Sequence, residues 1–107
     1  KTKGMIGAAE LKRMRPGAVL VNVARGELVK EKALAAALNK GDIRGAGLDV
    51  LAEEPPRKDN PLVELPNCVI TPHCAWYSTV SQEDLRRKAA GEVLRVLQGR
   101  KPRYGVV

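Results

Sequence analysis

Residues Val19–Gly26 read VLVNVARG, and this stretch decides the fold. Four of its first five residues are apolar, and Ala24, Arg25 and Gly26 follow at once. A short apolar run that stops abruptly in small and polar residues reads as a buried strand, Val19–Val23, running into a loop. In open parallel sheets, ligands sit in the crevice beyond the carboxyl ends of the strands. Arg25 would then stand on a rigid support at the mouth of such a crevice. The plainer alternative is a surface arginine in a strand-to-helix turn, with Gly26 serving only the turn.

Upstream, Thr2 is a plausible N-cap, and Lys3–Met14 turns Ile6, Ala9 and Met14 towards one side, which predicts a short amphipathic helix. Arg15-Pro16-Gly17 stops it, because Pro16 disfavours helix at the residue before it. Downstream, Glu31–Asn39 is rich in the strong helix formers Ala, Leu and Lys, and Lys40-Gly41 supplies the stop. Ile43–Val50, IRGAGLDV, reads as a second strand. Its small residues Gly45, Ala46 and Gly47 suggest close approach by a helix or a ligand.

Leu51–Pro66 contains four prolines and no periodicity, so it is expected to cross the surface as a long loop. Loops of that length in compact domains are usually functional or disordered. Cys68–Thr71 gives a third short strand, ended by Pro72-His73. With Ser81 as N-cap, Leu85, Ala89, Val93 and Leu97 recur every fourth residue, a long amphipathic helix stopped by Gly99. The tail GRKPRYGVV is expected to be extended or irregular.

Helix, strand, helix, strand, loop, strand, helix is an α/β order. It implies right-handed crossovers and a parallel sheet with helices on its faces. The chain contains no GxGxxG, so the phosphate-cradling half of a dinucleotide fold would lie before Lys1. A start at Lys1 without Met reads as a piece of something longer, with residues 1–107 a single partial domain.

Bulk composition narrows the function classes. With 107 residues, 44% hydrophobic and 29% charged, the chain suits one globular core rather than disorder. One Trp, two Tyr and no Phe leave that core to Val, Leu, Ile and Ala. The net charge of +7 is spread through helix-like segments, and basic residues are not interleaved with stacking aromatics. Both facts favour a solvated basic surface over a nucleic-acid site. Cys68 and Cys74 form no disulfide framework and, with one histidine, no zinc set, so reduced, buried thiols of a cytoplasmic protein are expected. No apolar run approaches the roughly 18 residues of a membrane span.

Polar residues gather where the strands end: Asn22–Arg25, Asp49 with the loop after it, and His73. In a parallel sheet these ends share one edge. Arginine offers a planar fork of donors that matches a carboxylate or a 2-oxo acid. Histidine titrates near neutrality and exchanges a proton with a hydroxyl. A carboxylate on its other ring nitrogen fixes the tautomer and favours the charged ring. Taken singly, His73 is a turn histidine, Glu54 a solvated loop acid and Asp49 a cap. Together, at successive strand ends, they point to catalysis.

The segments VLVNVARGELV, ALAAALNKGDIRGAGLDV, EEPP, NPL and NCVITPH resemble the D-isomer-specific 2-hydroxyacid dehydrogenases, in order and spacing, over nearly the whole chain. The resemblance implies the C-terminal half of a Rossmann-like, doubly wound parallel sheet, with three short strands and about three helices. It makes Arg25, in Asn22-Val23-Ala24-Arg25, the catalytic arginine. Glu54, five residues after Asp49 and just before proline, becomes the glutamate, with Glu53 as its only competitor. His73, in Thr71-Pro72-His73, becomes the acid–base histidine. NAD is the implied cofactor, with NADP left open, and Val23, Ala24, Arg25, Asp49, His73 and Trp76 are the implied cofactor contacts. HCAWYS, His73–Ser78, is similar to the branch of the C-terminal binding protein corepressors and phosphoglycerate dehydrogenase-related enzymes. There the tryptophan lines the substrate pocket, which adds Trp76 to Arg25 and His73; the alternative is that Trp76 is only the core's one large side chain.

The expected function is hydride transfer between NAD(H) and a 2-hydroxy or 2-oxo acid, in a protein that is a homodimer at full length. The rival is an NAD-sensing, corepressor-like interaction protein with little turnover.

Overall fold

The computed structural model describes residues 2–105, which divide after Ala75 into two compact units. In the first unit, β1 (Val19–Asn22), β2 (Gly45–Leu48) and β3 (Cys68–Ile70) form a parallel sheet in the order β1-β2-β3. Two helices, α1 (Ala8–Lys12) and α2 (Glu31–Lys40), pack against each other. This is the α/β architecture that the alternation of elements predicts, and all three strands run in one direction.

α2 forms because residues 31–40 are good helix formers, and it buries Leu34, Ala35, Ala37 and Leu38 on one side. It ends at Gly41, whose φ of +73° is a left-handed conformation that glycine adopts without a Cβ clash. The Gly41 and Asp42 amides donate back to Leu38 and Ala37, satisfying the last carbonyls of the helix. Leu11, Leu34, Ile43 and Leu62 are the largest fully buried side chains. Each contributes roughly 1.5–3 kcal/mol by leaving water.

The first helix is shorter than the expected Lys3–Met14. Residues 4–6 instead run beside residues 27–30: Gly4 donates to the Glu27 carbonyl, Ile6 to Leu28, and Lys30 back to Ile6 at 2.9 Å. Gly7 is then the N-cap, not Thr2, and the Glu10 carboxylate accepts from its amide at 2.9 Å. A pairing partner more than twenty residues away is invisible to local periodicity.

Residues 51–67 form no strand or helix, as expected, yet they do not merely cross the surface. Leu51 and Leu62 are buried in the core, and the Asn67 side chain donates to the Leu38 carbonyl. The glycines of β2 differ: a Cβ on Gly45 would lie 3.1 Å from the Asn67 carbonyl oxygen, a close approach by a loop rather than a helix, whereas one on Gly47 would meet only Val21 at 3.9 Å.

The second unit holds α3 (Thr79–Leu97). Its N-cap is Ser78 rather than Ser81. The two serines cap reciprocally, the Ser81 amide donating to Ser78 Oγ at 3.0 Å and the Ser78 amide to Ser81 Oγ at 2.8 Å. The every-fourth-residue stripe is present on a helix as expected, but Leu85, Val93 and Leu97 are exposed. Among the described residues, no helix is long and apolar enough to cross a membrane.

Candidate active site

The ladder of the sheet continues past the strands at their carboxyl ends. The Asp49 amide donates to the Asn22 carbonyl at 3.0 Å, and the Thr71 amide to the Leu48 carbonyl at 2.9 Å. The three polar strand ends therefore lie side by side on one edge, as parallel pairing requires.

Asn22, missed as a site residue at the sequence level, shapes the first of these ends. Its side chain is buried; Oδ1 accepts from the Ala24 amide at 3.1 Å and Nδ2 donates to the Arg25 carbonyl at 2.9 Å. This Asx-type turn folds the backbone over itself and leaves Val23, Ala24 and Arg25 exposed. Arg25 Nη1 donates to the Ala24 carbonyl at 2.7 Å. A buried polar residue between Val21 and Val23 was the available signal.

Gly26 does more than make a turn. A Cβ there would lie 1.9 Å from the Leu51 carbonyl carbon and 2.4 Å from the Ala52 nitrogen. Only glycine lets the Arg25 turn rest against the backbone that leads to Glu54. That backbone in turn holds the acid, since the Leu51 amide donates to Glu54 Oε1 at 2.9 Å.

Glu54 Oε2 lies 2.7 Å from His73 Nδ1. The histidine, and after it the Leu51 amide, hold the Glu54 carboxyl below the usual carboxylate range. Of the two candidate acids it is Glu54, not Glu53, that meets the histidine. With Nδ1 turned to Glu54, Nε2 occupies the opposite side of the ring. His73 has a φ of +53°, a left-handed conformation that costs a non-glycine residue on the order of 1–2 kcal/mol.

Asp49 holds that strained turn in place. Its buried carboxylate accepts from Thr71 Oγ1 at 2.6 Å and from the Cys74 and Ala75 amides at 2.9 Å each. The Thr71 hydroxyl, then the Ala75 and Cys74 amides, hold its carboxyl below the ordinary value of 3.8, against burial, which acts the other way. A carboxyl depressed in the folded state stabilises fully above its unfolded value, and the contribution is lost as pH falls through the folded one. Protection of the Cys74 and Ala75 amides, measured against their intrinsic exchange at each pH, should therefore persist down towards the ordinary value of 3.8 and fall only below it. Loss of protection well above that point would show that Asp49 does not hold the turn.

Arg25, Glu54 and His73 line one cleft of about 250 Å³, together with Gly26, Glu27 and residues 50–52. Val23 and Ala24 stand exposed at the end of β1, and Asp49 lies behind the histidine turn. Trp76 opens the second unit; it is half-exposed and edge-on to Tyr77, with ring centroids 5.5 Å apart. Cys68 is half-buried, and burial pushes its thiol up. Cys74 is exposed, unlike the buried thiol expected. Among the described residues no cluster of His, Cys, Asp and Glu could hold a metal.

The arrangement can grip a planar anion with Arg25 and exchange a proton through His73. Its chemistry also suits a nicotinamide: exposed backbone at Val23 and Ala24, and a carboxylate at Asp49 whose Oδ2 carries one described bond and keeps acceptor capacity for an amide N–H.

Residues 1–75 match the NAD binding domain of D-isomer specific 2-hydroxyacid dehydrogenase. The glycerate dehydrogenase of Methylorubrum extorquens is 46% identical over 101 residues, which cover 92% of this chain and 32% of that protein. The NAD-complexed D-isomer specific 2-hydroxyacid dehydrogenase of Lactobacillus delbrueckii superposes with a TM-score of 0.87 at 40% identity, covering 98% of this chain and 36% of that one. An NADPH-dependent glyoxylate/hydroxypyruvate reductase from Sinorhizobium meliloti, solved with NADP and malonate, gives 0.88 at 33% identity, covering 99% and 33%. The chain thus spans about a third of the length of these relatives. It belongs to the D-isomer specific 2-hydroxyacid dehydrogenases, matching their NAD binding domain.

Proposed function

We propose that this chain forms the catalytic edge of a dehydrogenase that moves a hydride between NAD(H) and a 2-hydroxy or 2-oxo acid. The observation that carries this is the 2.7 Å contact of Glu54 and His73 in a cleft that Arg25 also lines. Arg25 holds the substrate's carboxylate and carbonyl through its fork of donors. His73 gives its proton to the oxygen that becomes the hydroxyl, or takes it back in oxidation. Glu54 fixes the ring through its contact with Nδ1. Val23, Ala24 and Asp49 are the residues that would hold the nicotinamide end of NAD or NADP, which supplies or accepts the hydride when bound. The reading also calls for a glycine-rich phosphate loop, which is not among these 107 residues.

The names of the relatives put glyoxylate and hydroxypyruvate first among substrates to try. Homodimerisation, the pocket role of Trp76 and the placement near the corepressor and phosphoglycerate dehydrogenase-related branch rest on the sequence resemblance, and a cytoplasmic location on the cysteine usage. The test is oxidation of NADH and NADPH by the full-length protein with a panel of small 2-oxo acids. Sustained turnover is expected with at least one of them. Tight NADH binding with negligible turnover throughout would replace this reading by the NAD-sensing one.

A further inference from the structure

The Leu51–Ala52 peptide is where the parts of the cleft meet. Gly26, next to Arg25, rests against it, and its Leu51 side holds Glu54. On its other side, the Ala52 amide donates to Glu31 Oε1 at 2.7 Å. The second oxygen of the same carboxylate, Glu31 Oε2, accepts from Asn60 Nδ2 at 2.8 Å. Asn60 Oδ1 is itself engaged, accepting from the amide of the fully buried Leu62 at 3.0 Å. One carboxylate thus ties both ends of the segment 52–60, which carries Glu54.

Glu31 is well suited to that work. It is the first residue of α2, and α2 is fixed in the core by Leu34 and Leu38. Hydrogen bonds to an ionised acceptor are about twice as strong as neutral ones. A side chain on a rigid element positions a site better than one on a loop. Nothing else described ties residues 52–60 to a helix or strand through a side chain.

We propose that Glu31 is a positioning residue, which holds the 51–60 segment so that Glu54 stays on His73 within reach of Arg25. The proposal rests on the catalytic reading of Glu54 and His73 given above. The rival role is purely local: an acid in the first turn of a helix favours the helix through its dipole. That role would change stability and leave the pH profile alone.

The two roles separate in the full-length protein, in the alkaline limb of kcat/KM for 2-oxo acid reduction. Charged or titratable groups facing His73 are Glu54 from the loop, Asp49 from the end of β2, and Arg25 and Glu27 from the turn after β1. Both Glu31 variants lose the same negative charge, so the difference between them reads the hold on Glu54. Glu31→Ala removes both bonds, so Glu54 meets His73 for a smaller fraction of the time. Its limb should move to lower pH by on the order of half a unit. Glu31→Gln keeps an acceptor for the Ala52 amide but sets an amide donor against Asn60 Nδ2, so a smaller move in the same direction is expected. This near-isosteric change decides the matter if the alanine variant does not fold.

Glu54→Gln is the reference. If it moves the limb and neither Glu31 variant that folds does, Glu31 is only a helix acid; the proposal is overturned and the catalytic reading stands. If Glu54→Gln leaves the limb in place, the catalytic reading fails and the proposal falls with it. Graded displacement, Ala beyond Gln and both short of Glu54→Gln, supports it.

Discussion

Arg25→Lys in the full-length protein is expected to lower kcat/KM for 2-oxo acid reduction by roughly one to two orders of magnitude, with the positive charge retained. Lysine is a compact point charge and cannot present two parallel donors to a carboxylate. Losing one charge-assisted bond costs roughly 1.5–3 kcal/mol, and about 1.4 kcal/mol is a factor of ten in rate. The bond from Nη1 to the Ala24 carbonyl steers the guanidinium, and a lysine cannot make it while also facing substrate with a fork. Because Arg25 is exposed, thermal stability should be nearly unchanged. Loss of activity in a normally stable variant is the expected outcome; near-normal kcat/KM would remove Arg25 from the substrate.

The second large effect concerns Glu54→Gln. Reduction needs His73 protonated, and a histidine in water is half-protonated near roughly pH 6.5. Glu54 Oε2 lies 2.7 Å from His73 Nδ1, so the charge of this carboxylate stands directly against the ring. Glutamine preserves the shape and still accepts from the Leu51 amide, but it carries no charge. The alkaline limb of kcat/KM for reduction should move to lower pH by on the order of one unit or more. Oxidation, which needs the neutral ring, should extend to lower pH in the same variant. Profiles of wild type, Glu54→Gln and Glu53→Gln in both directions check this. Movement in Glu53→Gln alone would assign the wrong acid, and movement in neither would undo the pair.

The parts of the molecule that were legible in the sequence are those written in local pattern. VLVNV, the helix-forming run of α2 and the strand ends at Asp49 and His73 announce themselves within a few residues. Parallel pairing then forces the ends together, while the choice of Glu54 over Glu53 as the partner of His73 came from the family resemblance and not from the topology. What escaped was set by partners far away in the chain. Residues 4–6 lie along residues 27–30, which displaces the start of α1. Glu31 reaches Ala52 and Asn60 across 21 and 29 positions, which no local pattern displays. Ser78, not Ser81, is the N-cap of α3, and the two serines cap each other.

The order of large and small residues in β2 has a consequence for precision. Ala46 and Leu48 point into the core, whereas Gly45 and Gly47 lie on the other face, level with Val19 and Val21. Sliding β2 by one residue would send both glycines inward and expose the leucine, forfeiting roughly 1.5–3 kcal/mol for that side chain alone. The strand therefore has one favoured setting against its neighbours. Asp49 follows Leu48 directly, and the carboxylate that holds the histidine turn inherits that setting. A step of one residue is about 3.3 Å, far coarser than a hydrogen bond tolerates. GAGL acts as a molecular ruler, measuring out where the acid–base group must stand.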